Sequence, residues 1–176
     1  MSDLKQWYYG NPREDMVGYV PAGTRRMLDV GCGWGRFSEA AKRRYGIAET
    51  WGIELDPEAA AVARERVDHV LNQDAFVALA GMPEGFFDCA VFNDVLEHLV
   101  EPQRLLAALR PHLADGATVV ASIPNVRYGG VVLDLLLRGR WDYADFGILD
   151  RTHLRFFTRA SIARMFDETG YDLVGI

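Results

Sequence analysis

The sequence predicts an α/β fold built on a mostly parallel sheet with helices on both faces. Three observations carry this. Apolar runs of strand length alternate with helix-length stretches along the chain. One apolar run ends in a glycine-rich turn, Met27-Leu-Asp-Val-Gly-Cys-Gly-Trp-Gly-Arg36. A second, Trp51-Gly-Ile-Glu-Leu-Asp56, ends in an acid at Glu54, twenty-one positions past Gly33. In sheets of this kind ligands sit at the carboxyl ends of the strands.

The elements follow in order. Strands are expected at 26–30, 51–54, 69–72, 87–92 and 117–122, with a last one from Tyr171, and helices at 36–45, 57–67, 102–112 and 159–168. Asp56-Pro57-Glu58 combines an N-cap, a proline at the first helical position and an acid at the positive end of the helix dipole. Glu101-Pro102 repeats that arrangement. Residues 1–176 read as one domain, with a leading segment over 1–24 that contains Trp7-Tyr-Tyr9 and Arg13. Residues 124–157 form a long insertion, of a length that in compact domains usually serves function, here as a substrate lid.

The turn after the first strand carries the chemistry. Gly31, Gly33 and Gly35 let the backbone bend and a ligand approach closely, and the helix that follows opens with bare amides. An acid at Glu54 can accept from both hydroxyls of a ribose. Together they point to a nucleoside-containing cofactor. A dinucleotide fingerprint reads GxGxxG. Here the spacing is GxGxG, with Arg36 where the third glycine would stand.

The segment Leu28-Asp-Val-Gly-Cys-Gly-Trp-Gly35 resembles motif I of class I S-adenosylmethionine-dependent methyltransferases. Further stretches resemble that family in order: Asn72-Gln-Asp-Ala75, Phe87-Asp-Cys-Ala-Val-Phe-Asn-Asp94, Val95-Leu-Glu-His-Leu99 and Leu109–Ser122. Val95–Leu99 is similar to a segment of ubiquinone-type small-molecule methyltransferases. Gly147–Thr158 is similar to a block in bacterial methyltransferases linked to glycan or cell-surface biosynthesis. The resemblance runs over about residues 8 to 176. It implies a Rossmann-like class I methyltransferase fold without the seventh strand, and either a truncated chain or a bare sheet edge. It also implies S-adenosylmethionine as cofactor and S-adenosylhomocysteine as product.

By resemblance, Gly31, Gly33 and Gly35 shape the methionine pocket, with Asp29 and Cys32 also among the cofactor-binding residues, Glu54 holds the ribose, and Leu55, Asp74 and Ala75 take the adenine; Asp29 can instead stabilise the loop through its amides, and Cys32 is small enough to fit it. Asn93 and Asp94 stand near the sulfonium. The leading segment covers the cofactor, with Tyr9 and Arg13 as candidates for its carboxylate. Aromatic packing on the sheet edge is the alternative for them.

A hydroxyl acceptor gains from a general base, and His98 and His153 are the catalytic candidates; His69 and His112 are assigned no role. Structural readings stand beside these, since Asp94 and Glu97 have the spacing of a capping box and either histidine can serve packing. Asp94, Glu97 and His98 also fall at i, i+3 and i+4, on one face of a helix. The ubiquinone family has matching residues implicated in divalent metal binding. Magnesium prefers oxygen ligands, so Mg2+ is a secondary option and no metal ligand is assigned.

Bulk properties narrow the partners. A net charge of −6 argues against nucleic acid. No apolar stretch is long enough to span a bilayer and no signal-like start is visible, and Cys32 and Cys89 read as reduced thiols, so a cytoplasmic protein is expected. Between Arg138 and Arg164 six arginines meet three aspartates. That excess suits a solvated surface or the mouth of a site for an anionic acceptor such as a sugar nucleotide. The reading is methyl transfer to a small molecule, preferably an oxygen of a sugar or cell-surface precursor. The rivals are a non-catalytic cofactor-binding module and a nucleotide-dependent oxidoreductase.

Overall fold

The computed structural model describes residues 9–176, so Trp7 and Tyr8 of the leading segment lie outside the described residues. Five parallel strands form one sheet: β1 Arg26–Val30, β2 Glu49–Ile53, β3 His69–Leu71, β4 Phe87–Asn93 and β5 Leu113–Ser122. Their order is β3-β2-β1-β4-β5. The helices are α1 Glu14–Val17, α2 Arg36–Tyr45, α3 Pro57–Ala63, α4 Ala75–Ala80, α5 Pro102–Leu109, α6 Gly129–Arg138 and α7 Arg159–Glu168. The chain groups into two compact units. One runs to Asn93 and resumes over Ala108–Ser122; the other comprises Asp94–Ala107 and Ile123–Ile176.

The first unit holds the whole sheet. Chain progress runs outward from β1 to β3 and then reverses to β4 and β5. With right-handed crossovers, α2 and α3 therefore cover one face and α4 the other. β4 is buried almost throughout, from Phe87 to Phe92, as befits a strand covered on both sides. Met27, Phe37, Ala41, Cys89, Val91 and Val120 belong to one apolar cluster with Val17, Val20 and Ile47. α2 ends at Gly46, whose left-handed φ of 66° lets its N–H cap the Lys42 carbonyl. Asp56 caps α3 by accepting from the amides of Glu58 and Ala59, with Pro57 at the first position, as its sequence signals.

The second unit contains most of α5, then α6, α7 and the loop between those two. Thr158 and Ser161 form a reciprocal capping box at the start of α7.

Several boundaries differ from expectation. The helix expected over 57–67 stops at Ala63 and continues as a turn that tucks in Val67. The strand expected over 117–122 begins at Leu113 through a register irregularity, with Gly116 at φ 74°. α4, unannounced, is a nearly continuous apolar run without helical periodicity. α6 lies inside the insertion, behind two glycines. The expected last strand does not form: residues 171–176 adopt no strand, and Leu173, Val174 and Ile176 are exposed. Tyr171 instead packs its ring on Phe166 and donates its hydroxyl to the Leu106 carbonyl. Among the described residues the sheet therefore stops at five strands, lacking the sixth as well as the seventh.

Candidate functional site

The strand order reverses between β1 and β4, and a ligand crevice belongs at the carboxyl ends of those strands. Val30 is in register with Ile53 on one side and Phe92 on the other, so Gly31, Glu54 and Asn93 all leave the same edge. The amides of Gly31 and Cys32 both donate to the Ile53 carbonyl, at 2.8 and 3.1 Å, which folds the loop back over β2. Gly31, Gly33 and Gly35 have φ of 73°, 54° and 73°, a conformation that L side chains resist. Space adds a second demand at two of them. A Cβ on Gly33 would stand 3.3 Å from the ring and carbonyl of Tyr9, and one on Gly35 only 2.7 Å from Val67. Tyr9 thus lies over the loop, and its carbonyl accepts from the Trp34 amide at 3.3 Å.

Glu54 closes the crevice from the other side. One carboxylate oxygen accepts from the Gly33 amide and the other from the Asp56 amide, both at 2.8 Å. Burial raises its pKa above the usual carboxylate range, and those amides only partly offset this. Beside it Leu55 is 70% exposed, an apolar side chain held at the rim. Asn72, whose role sequence reasoning missed, donates its amide to the carbonyls of both Glu54 and Leu55 and so fixes that turn. Asp74 caps α4 by accepting from the Phe76 amide, with Ala75 as the first helical residue.

Asp29 is fully buried, accepts a 2.6 Å hydrogen bond from Ser38, and has its pKa pushed up to about 7. Burial is the main cause and the Glu54 charge adds to it, against the Ser38 hydrogen bond. Cys32 turns its sulfur toward Gly52, where a Cβ would come within 2.6 Å. Burial and the nearby acids push its thiol up, so it is an inert filler. Arg13 donates to the Ser122 hydroxyl at the end of β5 and pairs with Asp15. Asn93 ends β4, and its Oδ1 is buried with no hydrogen-bond partner among the described residues.

The second unit gathers a different set. Leu96–His98 is one 3-10 turn, and its cap, Val95, offers no side-chain hydrogen bond. Asp94 lies before it at φ 54°. The shared α-helical face expected for Asp94, Glu97 and His98 is therefore not formed. Instead, the amides of Leu154 and Arg155 both donate to the Glu97 carbonyl, at 2.9 and 3.0 Å, and the Arg155 guanidinium donates twice to the Val100 carbonyl. This clamp brings His153 to Glu97 and His98. Glu97 is 1% exposed and His153 8%, and the two rings meet edge to face with centroids 4.8 Å apart. One ligand-capable atom from each of the three lies within 4.8 Å of the others, and Asp94 is not in the group.

The local turn orients both imidazoles. Asp150 accepts from the Thr152 amide and hydroxyl. With its proton on Asp150, the Thr152 hydroxyl can only accept from His98 Nδ1, as does its carbonyl, each at 3.2 Å. His153 Nδ1 faces the Ile148 carbonyl at 3.0 Å. Nδ1 of both rings thus faces a carbonyl oxygen, which can only accept. Burial, then the neighbouring His153, holds the His98 pKa below the ordinary value.

The arginine-rich stretch is largely committed to internal partners. Arg138 pairs with Asp134, Arg151 with Asp145 and Arg164 with Glu168, while Arg155 forms the clamp. His69 pairs with Glu49 and His112 with the Pro83 carbonyl, both structural.

The methyltransferase domain family matches residues 9–176. The chain belongs to this family. A ubiquinone biosynthesis O-methyltransferase of Psychrobacter arcticus is 31% identical over 171 residues, covering 86% of this chain and 62% of that protein. A trans-aconitate 2-methyltransferase of Rhodopseudomonas palustris is 32% identical over 118 residues, 65% of this chain and 44% of that protein. The methyltransferase domain described here thus spans less than two thirds of the length of these relatives. The fold matches a SAM-dependent methyltransferase from Archaeoglobus fulgidus, with a TM-score of 0.71 at 21% identity over 94% of this chain and 68% of that one. It also matches the plantazolicin methyltransferase BpumL in complex with SAH, with a TM-score of 0.67 at 16% identity over 96% and 65%.

Proposed function

We propose that this methyltransferase domain transfers a methyl group from S-adenosylmethionine to an oxygen of a small-molecule acceptor. The observation that carries this is the closure of Glu54 onto the Gly33 amide at the point where strand order reverses. A carboxylate oxygen accepts more than one hydrogen bond, so Glu54 keeps capacity for the two ribose hydroxyls while its amide bonds hold it in place. Leu55 offers an apolar face for the adenine, and the Asp74 oxygen not used in capping can accept from the adenine amino group. A buried acceptor without a donor costs about 1–3 kcal/mol; the ammonium of the methionine portion would satisfy Asn93 Oδ1. Gly31, Gly33 and Gly35 let that portion approach the backbone, and Tyr9 and Arg13 belong to the covering segment.

When bound, the cofactor supplies an electrophilic methyl group on a sulfonium and leaves as S-adenosylhomocysteine. Displacement in line needs mainly positioning, for which proximity can supply about 7–11 kcal/mol. His98 and His153 are the groups proposed to take the acceptor proton, through their Nε2 lone pairs. Relatives named for O-methylation support oxygen as the target, and a sugar or cell-surface precursor is the acceptor class to test first. Buried, unpaired Cys32 and Cys89 suit a cytoplasmic setting. No helix among the described residues is long and apolar enough to cross a membrane.

The test is transfer of isotope-labelled methyl from S-adenosylmethionine to a panel of sugar nucleotides, phenols, carboxylic acids and amines. The expected result is an O-methyl product. Label appearing only on nitrogen would overturn the oxygen assignment.

A further inference from the structure

The arginine excess between Arg138 and Arg164 does not make a charged mouth, because four of its six guanidiniums are committed to partners within the chain. What the same stretch leaves open is aromatic. Trp141 meets Phe156 edge to face with centroids 5.2 Å apart, and Tyr143 lies tilted 6.2 Å from the same ring. Phe156 is in turn 6.4 Å from His153, which meets His98 at 4.8 Å. The proposed bases and the exposed Tyr143 thus belong to one connected group of five rings.

We propose that Trp141, Tyr143 and Phe156 form a stacking platform for an uncharged pyranose ring of the methyl acceptor, continuous with His153. Three observations support it. First, the rings are supported without being covered. The Ala144 amide donates to the Leu149 carbonyl at 2.9 Å, the Arg151 amide donates to the Ala144 carbonyl at 3.0 Å, and Arg151 pairs with Asp145 at 2.7 Å. These bonds fasten the aromatic stretch to the loop that carries His153. Second, Trp141 is half-buried and Tyr143 is 53% exposed. An edge-to-face pair leaves the faces of one of its rings open, and an aromatic face is negative. The C–H bonds on one side of a pyranose are slightly positive and settle on such a face. Third, the Trp141 indole N–H and the Tyr143 hydroxyl have no hydrogen-bond partner among the described residues. Apolar faces with free donors at their edges match a ring that has a C–H face and a rim of hydroxyls.

Openness decides against a plain phenol, whose apolar body gains most from an enclosed pocket; a sugar keeps its outer hydroxyls in water. The pairing of the arginines decides against a carboxylate or phosphate as the main contact. The inference rests on the transfer reading above in calling the bound ring the acceptor, but the platform is tested by binding alone.

The experiment titrates the full chain, saturated with S-adenosylhomocysteine, by calorimetry. The probes are the methyl pyranosides of glucose, galactose, mannose and rhamnose, then UDP-glucose and GDP-mannose, with UDP, GDP and catechol as controls. Expected is saturable binding of a pyranoside or of a sugar nucleotide that exceeds its nucleoside diphosphate, the two arms separating a free sugar from an activated one. Trp141→Ala should weaken that binding by about 10–100-fold, the range of one ring stacked on an aromatic side chain. Tyr143→Phe keeps the ring and should cost only about 2–10-fold. Should Trp141→Ala misfold, saturation-transfer NMR on the unmutated chain gives a second reading, with the strongest transfer on the C–H protons of one sugar face. Binding of none of the sugars, binding of catechol or the nucleoside diphosphates alone, or sugar binding unchanged in Trp141→Ala would each overturn the platform. A sugar that binds through Trp141 and is never methylated would count against the transfer reading and leave the platform standing.

Discussion

The crevice of the first unit and the histidine cluster of the second are held by different means. Around the crevice, acids are satisfied by amides and hydroxyls close by in sequence or on the adjoining strand: Asp56 and Gly33 for Glu54, Ser38 for Asp29. Left-handed glycines in a continuous loop set its shape. In the second unit the groups come from segments 54 to 58 residues apart and meet because Leu154, Arg155 and Thr152 bond back to Glu97, Val100 and His98. The first arrangement is fixed as soon as two strands pair. The second exists only when a long loop has closed, so it should open more readily.

The largest expected effect breaks the crevice itself. Gly35→Val adds left-handed strain of about 1–2 kcal/mol to overpacking against Val67 of about 1–3 kcal/mol. Urea unfolding should show a loss of about 2–5 kcal/mol. Gly46→Ala, at φ 66° with nothing within 4 Å, tests the backbone contribution alone and should lose only the first part.

Next comes pH. Asp29 keeps its proton in the folded protein up to about pH 7, but gives it up near 3.9 when unfolded. The folded state therefore binds more protons between those values, and stability falls as pH rises through that window, then levels off. The fall amounts to up to about 4 kcal/mol at about 1.4 per pH unit. In Asp29→Asn, denaturant midpoints measured from pH 4 to 8 should lose that fall, leaving the shallower one of Glu54, raised in the same sense, opposed by His98, whose lowered pKa makes stability rise with pH.

Glu54→Gln comes third, removing charge-assisted bonds worth about 1.5–3 kcal/mol. S-adenosylhomocysteine affinity should drop by about 10–100-fold, and the thermal midpoint should fall by several degrees because a Gln nitrogen cannot accept from one of the two amides. Smallest is Arg155→Ala in the second unit, about 1 kcal/mol because its bonds to Val100 are exposed. Amide exchange at Leu154 and Arg155 should accelerate while the β1 and β4 amides are untouched. Equal acceleration in the sheet would remove the contrast between the two regions.

The same contrast explains what the sequence made legible. α2, the cap at Asp56-Pro57 and the glycine loop after β1 depend on neighbouring residues, and their signals are in the letters. The Glu54–Gly33 bond could be anticipated because β1 and β2 are paired in register, so their ends emerge together. His153 carried a local signal in Asp150-Arg-Thr-His153, but its meeting with Glu97 depends on chain closure that no local pattern encodes. Asp94 misled for a related reason: i, i+3, i+4 spacing shares a face only in an α-helix, and a left-handed residue before a 3-10 turn breaks it. The strand at Tyr171 failed because strand pattern is not enough without a neighbouring ladder.

The most direct test of the central claim is calorimetric titration of the chain with S-adenosylhomocysteine, with a nicotinamide dinucleotide run in parallel. Saturable binding of S-adenosylhomocysteine alone, weakened in Glu54→Gln, is the predicted result. Binding of the dinucleotide in its place, unaffected by Glu54→Gln, would contradict the assignment of the crevice.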